Sequence, residues 1–176
     1  LFAYLKTLPK DATLSKPHEL GFPFNIRRGL GLWKKLYLDP APVIAVEKGN
    51  AQLERGRYIV EGPAHCGACH TPRNLIGGPD TQKWLGGGIA AEGNGSVPNI
   101  TAHKSGLGGW SADEIADSLK TGFTPEFDSF GSSMAEVQEN MAKLSDEDRA
   151  AIATYLKFIP AIKSAGKQQR SICLDL

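Results

Sequence analysis

An all-α fold is what this sequence predicts: three to five short helices, with long loops wrapped around one covalently held group. Three observations carry that expectation. Cys66-Gly67-Ala68-Cys69-His70 sets two thiols and an imidazole within five residues. Segments with apolar residues at helical spacing, bounded by start and stop signals, lie on either side of it. Between them, from Ile76 to Gly109, glycine is plentiful and strand signals are few, so that stretch reads as mostly loop.

The elements follow in order. Residues 1–9 end on Tyr4-Leu5-Lys6 and Pro9. They match Tyr155-Leu156-Lys157 and Pro160, with aliphatics at corresponding places. This repeat marks 1–9 as the last helix of a preceding domain of the same kind, and the chain as a fragment of a longer protein. Residues 10–25, set among Pro9, Pro17 and Pro23, read as linker. Residues 26–38 carry Ile26, Leu30, Trp33 and Tyr37 at helical spacing, with Arg27, Arg28, Lys34 and Lys35 mostly off the stripe. Such a helix can lie in a membrane interface, but packing on its own domain is the favoured reading. Asp39-Pro40-Ala41-Pro42 then breaks the chain, so residues 1–47 form an extension or linker.

Residues 48–160 form the main domain. Its first helix, about 50–61, sets Leu53, Gly56 and Val60 on one face. Glycine costs a helix about 1 kcal/mol against alanine, so Gly56 is expected where another helix comes close, with Tyr155 as the neighbour. Ser111 with Glu114 forms a capping box, Ile115 and Leu119 face inward, and Gly122 closes that helix. Ser145 starts the last helix, and Asp146, Glu147 and Asp148 crowd its first turn, where negative charge suits the helix dipole. Ile152, Tyr155, Leu156 and Ile159 form its stripe before Pro160. Residues 161–176 are a tail holding Cys173, a free thiol, a link between chains or a chance residue.

C-x-x-C-H is the pattern that fixes a c-type haem. Cys66 and Cys69 would add to the haem vinyl groups as thioethers, and His70 would ligate the iron. A zinc site needs about four ligands, and no second C-x-x-C or H-x-x-x-H is present. A thioredoxin-like dithiol would need a βαβ setting, which the flanks do not supply. One covalent haem c with its iron is therefore expected to fill the space an apolar core would otherwise take. For the sixth ligand, Met134 is read as lying in a loop just before a short helix. Gly131 eases its approach, whereas Met141 within that helix reads as core filling. His103 lies in a polar loop, His65 precedes Cys66 too closely, and His18 lies in the linker. Pro98 is expected to offer its carbonyl to the other ring nitrogen of His70. Asn99, Trp110 and Arg73 are candidates for the propionates, against plain readings as turn residue, core aromatic and solvated charge.

Net charge is +1, which gives no argument for nucleic acid, and no run of about eighteen apolar residues exists. A closed, thioether-ligated iron suits one-electron transfer. An open site would suit a haem enzyme of the thiosulfate dehydrogenase or peroxidase type.

Together these residues resemble the C-terminal haem domain of the multihaem cytochrome c subunits of membrane-bound bacterial alcohol, aldehyde and gluconate dehydrogenases. The likeness runs through Phe22-Pro23-Phe24-Asn25-Ile26-Arg27 with Trp33, Arg55-Gly56, and Tyr58 to Gly62. It continues through His65 to Asn74, Leu85-Gly86-Gly87-Gly88, Pro98-Asn99-Ile100-Thr101 and Met134 to Val137, and closes on the helix through Tyr155. It implies the cytochrome c fold, with haem on Cys66 and Cys69, iron on His70 and Met134, and His70 oriented by Pro98. It further implies electron-transfer partners: a dehydrogenase subunit, a quinone-linked complex or an oxidase. Haem c is assembled outside the cytoplasm, so the expected place is the periplasm, on or near the inner membrane. Membrane contact would come through absent parts or the 26–38 helix. The family carries three haem domains and this chain one C-x-x-C-H, which supports the fragment reading.

Overall fold

The computed structural model describes residues 2–90 and 95–164; Cys173 lies outside them. The chain divides into two compact units, residues 1–38 and 39–176.

The first unit holds α1 (Phe2–Leu5) and α2 (Arg28–Tyr37), and neither contains a buried residue. Residues 10–25 form no helix or strand. Along α2, the Trp33 and Tyr37 rings meet at 5.2 Å, while Leu32 and Leu36 stay 63% and 61% exposed. Of α2, Trp33 and Tyr37 are the residues that are half-buried. A helix stripe needs a facing element to be buried, and α1, at four residues, supplies none.

The second unit holds α3 (Ala51–Glu61), α4 (Gly67–His70), α5 (Ala112–Thr121), α6 (Ser133–Met141) and α7 (Asp146–Phe158). A two-stranded antiparallel ribbon, β1 (Gly88–Ile89) with β2 (Ser96–Val97), pairs Gly88 with Val97 inside the stretch expected to be mostly loop. Helices α3 and α5 both pack on α7.

The α3–α7 crossing is built on Gly56. A Cβ there would lie 2.0 Å from the Ala151 carbonyl oxygen and 2.8 Å from Tyr155 Cβ. No side chain larger than hydrogen fits, which explains glycine in mid-helix despite its propensity cost. Around the crossing, Ile59, Val60, Leu85, Ile115, Ile152, Tyr155, Leu156 and Ile159 form one buried cluster. Each large aliphatic there contributes roughly 1.5–3 kcal/mol of transfer free energy. The helices thus close a core of their own around the α3–α7 crossing.

The expected caps are present. Ser111 and Glu114 make the full capping box, and Gly122 ends α5 at φ 82°. The Ser145 hydroxyl accepts from the Asp148 amide at the start of α7. Arg55 grips Asp148 through two hydrogen bonds of 2.7 and 2.8 Å. The guanidinium beside it holds the Asp148 carboxyl below its ordinary range. Glu61, at the end of α3, accepts from the Val43 and Ile44 amides and, at 2.6 Å, from the Tyr155 hydroxyl. Ile44 and Val46 pack against the same core, which is why the second unit already includes them.

Candidate haem-binding site

The C-x-x-C-H turn is laid directly on this core. After α3 the chain doubles back, and the Ala64 and Cys66 amides donate to Ile59 and Val60 carbonyls at 2.9 and 3.0 Å. His65 takes φ 38° in the bend. The His70 amide then donates to the Cys66 carbonyl at 2.9 Å and closes one helical turn. Residues three and four apart share a helix face, so Cys66, Cys69 and His70 are neighbours because of their spacing. Cys69 is exposed and Cys66 partly buried. Burial pushes the Cys66 thiol up to about 11, so it is a neutral thiol at neutral pH.

Residues 80–99 hold the other side of the turn. The Gly87 amide donates to the His70 carbonyl at 2.8 Å, and the Leu85 amide donates to Thr71 Oγ1 at 3.1 Å. The Trp84 ring lies against Gly67 so closely that a Cβ there would be 2.0 Å from Trp84 Cη2. Gly87, at φ 82°, brings its own backbone within reach of residues 97–99; a Cβ would lie 2.8 Å from the Val97 carbonyl oxygen. That approach, continued by the β1–β2 ribbon, delivers Pro98 to His70.

His70 Nδ1 lies 2.8 Å from the Pro98 carbonyl oxygen. A carbonyl only accepts, so Nδ1 carries the proton and Nε2 keeps its lone pair. Burial lowers the His70 pKa, against the opposing pull of that carbonyl. The ring is thus neutral, which is the form that binds a metal. Among the described residues no group of three or more His, Cys, Asp or Glu converges. Iron held at Nε2 needs ring nitrogens from a porphyrin, and two thiols one turn apart are suited to holding one. The donor set fits haem.

The structure corrects the placement of Met134. It is the second residue of α6, inside the helix rather than in a loop before it. Ser132, at φ 54°, makes the sharp turn that starts the helix early. Met134 is half-buried and outside the core cluster, whereas Met141 packs against that cluster.

The expected propionate groups divide. Asn99 is 2% exposed, with Nδ2 donating to Ile162 and Ser105 oxygens and Oδ1 accepting the Thr101 amide. Its amide braces a loop and has no donor to spare. Trp110 packs against the core. Arg73 donates to Gly77 and Ala68 carbonyls at 2.8 and 3.2 Å, so it is tied to the attachment turn rather than freely solvated. His103 Nδ1 pairs with Ser105 Oγ at 2.8 Å, and His18 and His65 are exposed. Two contributors escaped the sequence reading. Trp84 has no periodic or motif context. Arg149, 4% exposed, reads from sequence as one more surface charge in an acidic turn.

Comparison with known proteins bears on the same residues. A cytochrome c family model matches residues 53–159. A diheme cytochrome c-type protein of Cereibacter sphaeroides is 50% identical over 163 residues, covering 93% of this chain and 54% of that protein. The fructose dehydrogenase cytochrome subunit of Gluconobacter japonicus is 38% identical, covering 95% of this chain and 35% of that protein. The gluconate 2-dehydrogenase cytochrome c subunit of Pantoea cypripedii is 32% identical, covering 92% and 38%. The chain thus spans about a third to a half of the length of these relatives. They are named as cytochromes or cytochrome subunits, so the haem-enzyme alternative is not favoured. The match to the family model and the fit of the attachment turn converge: this chain belongs to the cytochrome c family, an electron-transfer protein built on covalent haem c and its iron.

Proposed function

We propose that this chain carries one haem, thioether-linked to Cys66 and Cys69, with its iron between His70 and Met134. The observation that carries this is the buried His70 ring, whose Nδ1 is held by the Pro98 carbonyl so that Nε2 is left to ligate. Haem iron with those ligands supplies a one-electron couple whose potential the thioether raises. The chain's own residues do the rest. Pro98 fixes the tautomer and orientation of His70, and burial keeps the ring unprotonated. Trp84 and the α3–α7 core keep the attachment turn rigid, so little reorganisation accompanies a change of charge. Met134 stands apart from the core and is free to serve the metal, while Met141 is engaged in packing. Arg73 and Trp110 are retained as neighbours of the haem edge.

The redox partners we infer are a dehydrogenase subunit as donor and a quinone-linked complex or oxidase as acceptor. Support comes from relatives named as fructose and gluconate dehydrogenase cytochrome subunits. The expected place is the periplasm. No helix among the described residues is long and apolar enough to cross a membrane; contact with the inner membrane would run through parts outside this chain or through α2, with its exposed leucines and the cations Arg27, Arg28, Lys34 and Lys35.

Substitution at the two methionines tests the site. Met134→Ala is expected to lower the potential, abolish the thioether-to-iron band in the oxidised spectrum and admit exogenous ligands, while Met141→Ala keeps all three properties. The reverse pattern overturns the assignment. So does a peptide containing Cys66 and Cys69 that carries no haem mass.

A further inference from the structure

We propose that Gln138 and Arg149 are positioning residues that hold α6, and with it Met134, in place against the iron. The inference rests on the Met134 reading above.

Helix α6 is thinly anchored: none of its nine residues is fully buried, and Met141 at its C-terminal end packs against the core cluster. Two polar tethers supplement that contact. At mid-helix, Gln138 Nε2 donates to the Lys120 and Leu119 carbonyls at 2.9 and 3.4 Å. These carbonyls belong to the last turn of α5, where they have no partner within the helix. Gly122 lies against the same side chain; a Cβ there would be 3.1 Å from Gln138 Oε1. At the far end, Arg149 reaches out of α7. Its Nη1 donates to the Met141 and Ala142 carbonyls at 3.2 and 3.0 Å, and also to that of Leu144. Its Nη2 pairs with Asp146. A cation this deeply buried is retained only when paired, and here its partners are the carbonyls that end α6 and the turn after it. A planar fork is needed to reach several oxygens at once, which a lysine ammonium does not offer.

An electron carrier must keep its thioether ligand while the iron changes charge. With no fully buried residue on α6 and only its C-terminal Met141 packed against the core cluster, local opening at the Met134 end is opposed by these two tethers.

The test uses the full haem-loaded chain with Gln138→Ala and Arg149→Lys separately, and Arg55→Ala as a reference that cuts the α3–α7 clamp instead. The readouts are the thioether-to-iron band and the rate at which added imidazole binds iron. Each tether variant is expected to weaken the band and speed imidazole binding about ten- to a hundredfold, the equivalent of one or two lost hydrogen bonds. Arg55→Ala is expected to leave both unchanged. Half-buried Gln138 keeps the test open should Arg149→Lys fail to fold. Unchanged band and rate in Gln138→Ala, or an equal rise in Arg55→Ala, overturns the proposal. A band that survives Met134→Ala overturns the ligand reading instead.

Discussion

Residues 1–38 and residues 39–176 are both rich in leucine, isoleucine and aromatics, yet only the second unit builds a core. The first carries seven Lys and Arg against two Asp and Glu, and the second thirteen against seventeen. The first therefore holds a net charge of +5 and the second −4, within a total of +1. In the first unit α2 has a wide apolar face and no buried residue. In the second, α3 and α5 bury their stripes against α7. Amphipathic periodicity thus says that a helix has a face to cover. Whether something covers it depends on how many helices the chain can bring to one place.

Glycine substitution should break the comparison most sharply. Gly56→Ala drives a methyl into the Ala151 carbonyl and is expected to cost about 3 kcal/mol, at the upper end of overpacking costs. Gly31→Ala meets nothing within 4 Å and should instead favour α2 by about 1 kcal/mol. Denaturant midpoints and far-ultraviolet helix content measure both. Equal effects would mean that the two units are packed alike.

Tyr155→Phe comes next. It removes the hydroxyl from Glu61 and is expected to cost about 1 kcal/mol at neutral pH. Burial, with the Glu61 carboxylate adding to it, raises the Tyr155 pKa. The folded chain therefore keeps a proton that the unfolded chain gives up above about pH 10. This contribution is complete below that pH and falls as pH rises further, because the unfolded state then binds fewer protons. The gap between wild type and variant should shrink between neutral and strongly alkaline urea titrations; a constant gap contradicts the assignment.

Leu32→Ser with Leu36→Ser should have the smallest effect on folding, within about 0.5 kcal/mol, as for surface substitutions elsewhere. The same pair is expected to weaken binding to vesicles of anionic lipid at least about tenfold if α2 is an interfacial helix. Unchanged sedimentation with vesicles would remove the membrane role from α2.

Local signals were the most readable part of the chain. Ser111 with Glu114, Gly122, Ser145 and Gly56 were each placed correctly because their function is set by neighbours within a turn or by one steric demand. The Pro98 carbonyl was also anticipated, since a stiff residue near a candidate ligand is a good second partner for it. Met134 was misplaced because the start of α6 depends on the backbone of Ser132 at positive φ, which serine does not advertise. The bond from Asn99 to the Ile162 carbonyl was not legible because the two residues lie 63 apart in sequence. Trp84 and Arg149 were overlooked because what they touch lies on other elements: the Trp84 ring packs on Gly67 of α4, and Arg149 serves the carbonyls that end α6.

By itself the sequence determined the chemistry of this protein: two thiols and an imidazole in a single turn, the helices that flank them, and the family they belong to. These follow from covalent spacing and helical period, which act over three to five residues. Only the tertiary structure decided that the His70 ring is buried with Nδ1 on the Pro98 carbonyl, that α3 and α5 meet on α7, and that Gln138 and Arg149 reach carbonyls beyond their own helices. Those outcomes depend on burial and on carbonyls brought together from remote parts of the chain, and no local rule of spacing records where such groups meet.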